Sequence, residues 1–234
     1  MEFGKIKVKS VKDSFIDEML HKIVSGELKP GDRLPSEREL AASTGISRSM
    51  VNQGVLALNS MGFVSVQPRH GTIVNDFRKY PTPESLAALM DYGSSDIDYP
   101  LFRDLTDFRL LIETESARLA CKNAYDSTLQ KMREQVERMR GGLKDTVDAQ
   151  YQFHYRLTLA SGNGIYCMIF RAFEPVIRVL LERHYAIAPD DWESAPEAHR
   201  RLLDAIAAKD EQLAVRYARA ILEKGIAVLE KNYQ

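Results

Sequence analysis

What this chain has little of narrows it first. Two cysteines among 234 residues, Cys121 and Cys167, stand far apart in helical surroundings, so neither a disulfide framework nor a zinc-ligand spacing is available. No apolar run approaches the roughly 20 residues that cross a bilayer, and the first residues lack a signal-peptide pattern. The expectation is a cytoplasmic protein with no membrane partner. Nothing pairs a nucleophile with a neighbouring base, completes a metal site or forms a phosphate-cradling loop, so no enzyme is expected. Net charge is scarce too: 32 Lys and Arg against 33 Asp and Glu leave −1, which does not look like a nucleic-acid binder. That total hides an asymmetry. Residues 1–79 hold 12 basic and 9 acidic side chains, a net of +3, and the remainder hold 20 and 24, a net of −4. A footprint this modest needs a few well-placed contacts more than bulk basicity, and dimerisation would double them.

What is there centres on residues 34–75. Ser36 with Glu39 three residues on is a capping box that opens a short helix, which Thr44-Gly45 stops. Ser47 then caps a second helix, whose apolar positions Val51, Val55, Leu56, Leu58 and Met61 roughly follow helical spacing. Two helices across a short glycine-containing turn make a helix-turn-helix. Phe63, Val64 and Val66, a turn containing Gly71, and the return Thr72-Ile73-Val74 read as a β-hairpin, the wing of a winged helix. Upstream, Val11, Phe15, Ile16, Met19, Leu20 and Ile23 trace a helix from Ser10 to about Glu27, closed by Gly26 and Pro30-Gly31. Before it, Lys5, Lys7 and Lys9 are available to a phosphate backbone.

With the second helix in a major groove, its first turn faces DNA and offers Ser47, Arg48, Ser49 and Asn52, all with reach to phosphates or base edges. Arg38 on the preceding helix lies near the backbone or the groove floor. Arg69, His70 and Gly71 at the wing tip suit the minor groove, where arginine reads width and glycine permits close approach. On spacing alone a plainer reading stays open, in which the serines are only caps and the arginines a solvated face.

Residues 78–84, with Pro81 and Pro83, read as a linker between a DNA-binding domain at 1–77 and a helical domain at 85–234. That second part carries no convincing strand. Helices are expected at Ser85–Asp91, Leu101–Asn123, Ser127–Arg140, Asp145–Ala160, Ile165–Tyr185, Ala198–Ala208 and Leu213–Asn232, forming an antiparallel α-helical bundle. The fold class is therefore mainly α, with a small hairpin wing in the first domain.

The runs Gly31-Asp-Arg-Leu-Pro-Ser-Glu-Arg-Glu-Leu-Ala41, Gly45-Ile-Ser-Arg48, Gly62-Phe-Val-Ser-Val and Arg69-His-Gly71 resemble the DNA-binding domain of GntR-family bacterial transcription regulators. The family usually carries Val-Arg-Glu in the recognition helix where this chain has Val51-Asn52-Gln53, so the common operator of the family cannot be copied. Asp104 to Glu113, Phe153-His154 leading to Asn163, and His199 through Ile206 to Asp210 resemble the ligand-sensing domain of the FadR-type branch, more loosely but in the same order. The stretch Ser161 to Tyr166 through Arg183-His184-Tyr185 resembles the fatty-acid-responsive kind of regulator in that branch.

Many members of that branch hold a divalent metal with one Asp and three His. His154 and His199 match two of those positions, but Gln150 stands where the Asp belongs and Ile221 where the last His belongs, so no metal and no cofactor is expected. The resemblance places Arg109 facing the bundle cavity, where its fork suits a carboxylate or phosphate; an ion pair with Glu113 or Glu174 is the alternative. Gln150, His154, Tyr155, Tyr166 and His199 would orient a ligand around it, with Tyr151 and Arg178 as lesser candidates. The acyl-CoA-binding member uses Ser and Trp on its last helix, where this chain has Glu223 and Ala227, so a small organic acid and an acyl-CoA both stay open as effector. The resemblance thus implies a nucleoid-associated homodimer on a pseudo-palindromic double-stranded DNA operator, repressing metabolic genes until its effector binds. The alternative is a DNA-binding regulator whose helical domain is structural or metal-bound.

Overall fold

The computed structural model describes residues 10–93 and 99–233; Lys5, Lys7 and Lys9 lie outside them. The chain divides into two compact units between Asp96 and Ile97.

The first unit begins with α1, Val11–Val24, whose first turn is tied by Ser10 Oγ accepting from the Asp13 N–H at 3.1 Å. Its buried stripe is Phe15, Ile16, Met19, Leu20 and Ile23. The expected capping box opens α2, Glu37–Thr44. Ser36 Oγ accepts from the Glu39 N–H at 3.3 Å, and Glu39 Oε2 accepts from the Ser36 N–H at 2.8 Å. Gly45 ends the helix in the left-handed region at φ +72°. Ser47 caps α3, Arg48–Ser60, which buries Val51, Gly54, Val55 and Leu58. Leu56 departs from the expected apolar face and is half exposed at 52 %, because it sits about 100° around the helix from Val55.

Gly54 sets how closely α1 and α3 approach, since a Cβ there would run into the Phe15 ring. β1, Val64–Gln67, and β2, Gly71–Val74, pair antiparallel with Val64 opposite Val74 and Gln67 opposite Gly71, and Arg33 bridges to Ile73 beside them. Helix α4, Pro83–Gly93, belongs to this unit: Ala88 and Tyr92 are buried in its core, and the Tyr92 hydroxyl lies 2.7 Å from His21 Nδ1 on α1. The expected start of the helical domain at residue 85 falls inside this helix, whose apolar residues join the core of the winged helix.

The second unit is all helical, with a mainly α fold overall as expected. Its long central helix α5, Tyr99–Asn123, packs against α7, α10 and α11, and α6 packs on α7. These are α6 Asp126–Arg138, α7 Leu143–Ala160, α8 Gly164–Ala172, α9 Glu174–Ile187, α10 Ala195–Ala207 and α11 Glu211–Leu229. Its core joins Ala117, Met132, Val136, Phe153, Leu157, Leu202, Ile206 and Ala218. One expectation fails here. Ile165–Tyr185 is two helices, broken at Phe173. Pro175 has no N–H to give the carbonyl four residues back and is tolerated only in a first turn, so α9 starts afresh around it. A 3-10 turn, Pro189–Glu193, lies between α9 and α10.

Candidate functional site

Two surfaces carry chemistry, one in each unit. On the first, Ser47 spends its oxygen on the Met50 N–H at 3.3 Å, which leaves the hydroxyl hydrogen free to donate. Arg48 and Ser49 follow in the first turn of α3, both exposed, and Asn52 lies on the same face at helical spacing. Arg38 is exposed on α2. The Asn52 amide is already engaged: Nδ2 donates to Glu37 Oε1 at 2.7 Å. Other acids nearby are occupied in the same way. Glu39 serves the Ser36 cap, whose hydroxyl and N–H hold its carboxyl below the usual range, and Asp32 Oδ2 accepts from the Lys29 N–H at 2.8 Å. Among the described residues Arg33, Arg38, Arg48 and Arg69 therefore make no ion pair, although carboxylates are close in sequence.

The wing tip is a tight turn in which the His70 N–H donates to the Gln67 carbonyl at 3.1 Å. Pro68 takes the second position, and Arg69 the third at φ +67°, a left-handed conformation usually left to Gly or Asn. Gly71 follows at φ +84°, and the Arg33 guanidinium occupies the space beside it, with Nε 3.0 Å from where a Cβ would stand. Arg33 escaped the sequence reading. Its signal was its place in the Gly31-Asp-Arg run, with no spacing to connect it to the wing.

In the second unit α5, α7, α9, α10 and α11 line a cavity of about 90 Å³. Arg109 and Glu113, one turn apart on α5, pair through Arg109 Nε and Glu113 Oε1 at 2.7 Å. Glu113 is fully buried and its other oxygen lies 2.5 Å from His154 Nδ1 on α7; neither atom has a further partner among the described residues. Burial alone would raise the Glu113 pKa, but the Arg109 charge and then His154 outweigh it and hold the carboxyl down at about 2. On α10, His199 Nδ1 lies 2.7 Å from the Ala195 carbonyl and Nε2 lies 3.2 Å from His154 Nε2. A carbonyl only accepts, so the proton of His199 is assigned to Nδ1 and its Nε2 accepts from His154. Burial, and then His154, push the His199 pKa down to about 3, which keeps the ring neutral at physiological pH.

The Arg109 fork is the open group in this arrangement. Only Nε is spent on Glu113; Nη1 and Nη2 have no protein partner among the described residues, and the side chain lines the cavity. Gln150 and Tyr185 line the same cavity. The walls are apolar: Leu180, Leu181, Ile221, Leu222, Ile226 and Leu229. At the cavity edge Asp191, from the 3-10 turn, meets His184 Nε2 at 3.2 Å and Lys224 Nζ at 3.0 Å, and Lys224 also donates to Ser194 Oγ at 3.1 Å. Burial lowers the His184 pKa and Asp191 offsets part of that.

Arg109, Gln150, His154 and His199 thus share one cavity, and two other expected ligand residues do not line it. Tyr155, one residue beyond His154 and so on another face of α7, stacks on Tyr151 with the Arg171 guanidinium 5.5 Å over its ring. Tyr166 sits in the first turn of α8, away from the cavity. Tyr151 and Arg178 are spent on each other and on Glu174, with the Tyr151 hydroxyl donating at 2.9 Å and Arg178 Nε at 2.8 Å, so Glu174 is no partner of Arg109. Thr106, Tyr185, Asp191 and Lys224 were missed. Thr106 is three residues before Arg109 and Lys224 three after Ile221, so helical spacing could have found both; nothing local points to Tyr185 or Asp191.

The donor set does not fit the metal that the resemblance implies. Two imidazoles and a carboxamide remain, each imidazole held at both nitrogens, and no group of three or more His, Cys, Asp or Glu side chains that could hold a metal ion occurs among the described residues.

The sequence profile of the bacterial regulatory proteins, gntR family, matches residues 12–74, and that of the FCD domain matches residues 104–224. The chain is similar to the HTH-type transcriptional regulator Mce2R of Mycobacterium tuberculosis, 25 % identical over 95 % of this chain and 93 % of that one. It is also similar to the fatty acid metabolism regulator protein of Erwinia tasmaniensis, 25 % identical over 90 % and 87 %. Among solved structures, Lar, which controls the expression of the Listeria monocytogenes agr system, covers 97 % of this chain and 99 % of its own with a TM-score of 0.65. At 18 % identity that likeness speaks for the fold alone.

Proposed function

The chain belongs to the gntR family of bacterial regulatory proteins and carries an FCD domain, and from that premise we propose a homodimeric repressor that releases a pseudo-palindromic operator when a compact carboxylate enters the cavity. It is a transcription regulator and not an enzyme, with a DNA-binding gntR domain and an effector-binding FCD domain. In the proposal, α3 reads the major groove with Arg48 as its principal contact, and the wing enters the minor groove. The effector acts through a difference in its affinity for two states of the dimer, only one of which holds operator well.

The observation that carries the effector class is Arg109, which lines the apolar-walled cavity, is anchored through Nε, and has no protein partner for either terminal nitrogen among the described residues. A planar carboxylate matches that pair of donors, and the Leu and Ile walls suit a short aliphatic body. The cavity of about 90 Å³ is far below the roughly 300–1,000 Å³ of sites for larger ligands, which favours a small acid over an acyl-CoA. Glu223 on α11, exposed and salt-bridged to Arg219 at 3.5 Å, would also stand near a CoA phosphate in the acyl-CoA reading.

The test is thermal denaturation against a panel of short carboxylic acids, acyl-CoAs and divalent metals, with and without chelator. A fitting acid at about 100 times its Kd stabilises by about 2.7 kcal/mol, a rise of about 5–10 °C for a chain of this size. That rise should vanish in Arg109→Ala while operator binding persists, and Arg48→Ala should abolish specific DNA binding. An Arg109→Ala protein that still responds to the acid refutes the assignment, and a fall in melting temperature on chelation would restore the metal reading.

A further inference from the structure

Asn52 is the one polar residue on the exposed face of the first turns of α3 whose direction is set by another element. Its Nδ2 donates to Glu37 Oε1 on α2 at 2.7 Å. A carboxylate oxygen can accept but never donate, so the amide cannot flip without placing two acceptors against each other. Oδ1 is therefore turned away from Glu37. It has no partner among the described residues and is not one of the buried, unsatisfied atoms, so it is open to solvent. A free asparagine can flip to suit a donor or an acceptor; this one presents a carbonyl oxygen in a fixed direction.

We infer that Asn52, held by Glu37, selects an exocyclic amino group in each operator half-site, adenine N6 first and cytosine N4 second. This rests on the reading that α3 lies in the major groove. There the amino groups of adenine and cytosine are the only donors, whereas guanine O6 and N7 and thymine O4 are acceptors. Oδ1 accepts from either amino group. The second hydrogen on Nδ2 remains for adenine N7, which makes adenine the two-bonded partner. An arginine at position 52 would invert this polarity, because a guanidinium only donates and so pairs with guanine O6 and N7. Glu37 is a positioning residue: it touches no base, and its removal frees the amide to flip.

The test deletes single atoms from the DNA. Full-length protein selects a duplex from a random pool, and each half-site position is then replaced in turn. Purine replaces adenine and pyrimidin-2-one replaces cytosine, removing the amino group, and 7-deazapurines remove N7. At one position per half-site, loss of the amino group should weaken wild-type binding about 5- to 100-fold and leave Asn52→Ala unaffected. Glu37→Gln keeps the shape but can donate as well as accept, so it should reduce that amino-group dependence with no change in melting temperature. Asn52→Arg should move the preference at the same position to guanine. The inference is overturned if no position couples amino-group loss to Asn52, if the coupling is to N7 alone, or if Glu37→Gln leaves the dependence intact. Arg48→Ala keeps the two claims apart. If wild type binds and Arg48→Ala does not, the groove reading stands whatever Asn52 does; if wild type selects no duplex, both fall.

Discussion

Mild acid should unsettle the helical unit, and one side chain accounts for much of the effect. His199 is almost wholly buried, and burial and His154 together bring its pKa from 6.5 down to about 3. In the unfolded chain the same imidazole titrates near 6.5. Between about pH 6.5 and pH 3 the unfolded state therefore binds a proton that the folded state does not, so stability rises with pH across that window and is lost as pH falls. One proton corresponds to about 1.4 kcal/mol per pH unit, so acidification from pH 6.5 to about pH 5 removes about 2 kcal/mol on this account alone. Glu113 works in a separate window. Its folded pKa is depressed to about 2 from 4.5, so its contribution is complete above about pH 4.5 and fades only below. His184 is lowered as well and adds in the same direction, but it is present in both proteins compared below.

The assay is urea unfolding followed by the fluorescence of Trp192, the single tryptophan, which lies in the helical unit and so reports on that unit. Wild type and His199→Asn are compared at about pH 7.5, 6.5, 5.8 and 5. Asparagine keeps an N–H for the Ala195 carbonyl but has nothing to titrate there. Wild type should lose about 2 kcal/mol more than the variant between about pH 6.5 and pH 5. Equal losses in the two proteins would refute the reasoning, because the acid sensitivity would then belong to other groups.

Gly54→Ala should destabilise the winged helix by about 1–3 kcal/mol through overlap with the Phe15 ring, and Phe15→Leu in the same chain should recover most of it in thermal unfolding. Arg69→Gly should raise stability by about 1 kcal/mol, because glycine relieves the left-handed backbone at φ +67°, while weakening DNA binding. A variant that gains stability and loses no affinity would leave the wing arginine without a role. Arg33→Ala should lower the slope of log affinity against log salt by about 1 for each phosphate it contacts, with no change in melting temperature; an unchanged slope would remove Arg33 from the interface.

How much of this was legible in the sequence depends on how far apart the deciding residues lie. The capping box at Ser36 and Glu39, the left-handed stop at Gly45 and the cap at Ser47 all act within three or four residues, so they survive being read one stretch at a time. The allegiance of α4 does not. Its periodicity says helix, but what joins it to the first unit is the approach of Tyr92 to His21, 71 residues earlier, and the burial of Ala88 in a core that α1 and α3 began. Pro175 was visible inside the apolar run from Ile165 to Tyr185, and hydrophobic spacing carried through it. Backbone chemistry decided otherwise.

The cavity divides along the same line. Helical spacing pairs Arg109 with Glu113 and Gln150 with His154, because residues four apart share a face. Only the crossing of α5, α7 and α10 brings those pairs to each other and to His199, and only the turn before α10 brings Asp191. On the sequence, a structural ion pair and a ligand anchor were competing accounts of Arg109. In the fold they are compatible, because a guanidinium has five donors and Glu113 takes one through Nε. A side chain held that way has already lost most of its rotamer freedom on folding, so an anion arriving at Nη1 and Nη2 meets an oriented fork and has less ordering to offset. In the proposed reading, the buried pair is then what holds the site rigid for its ligand.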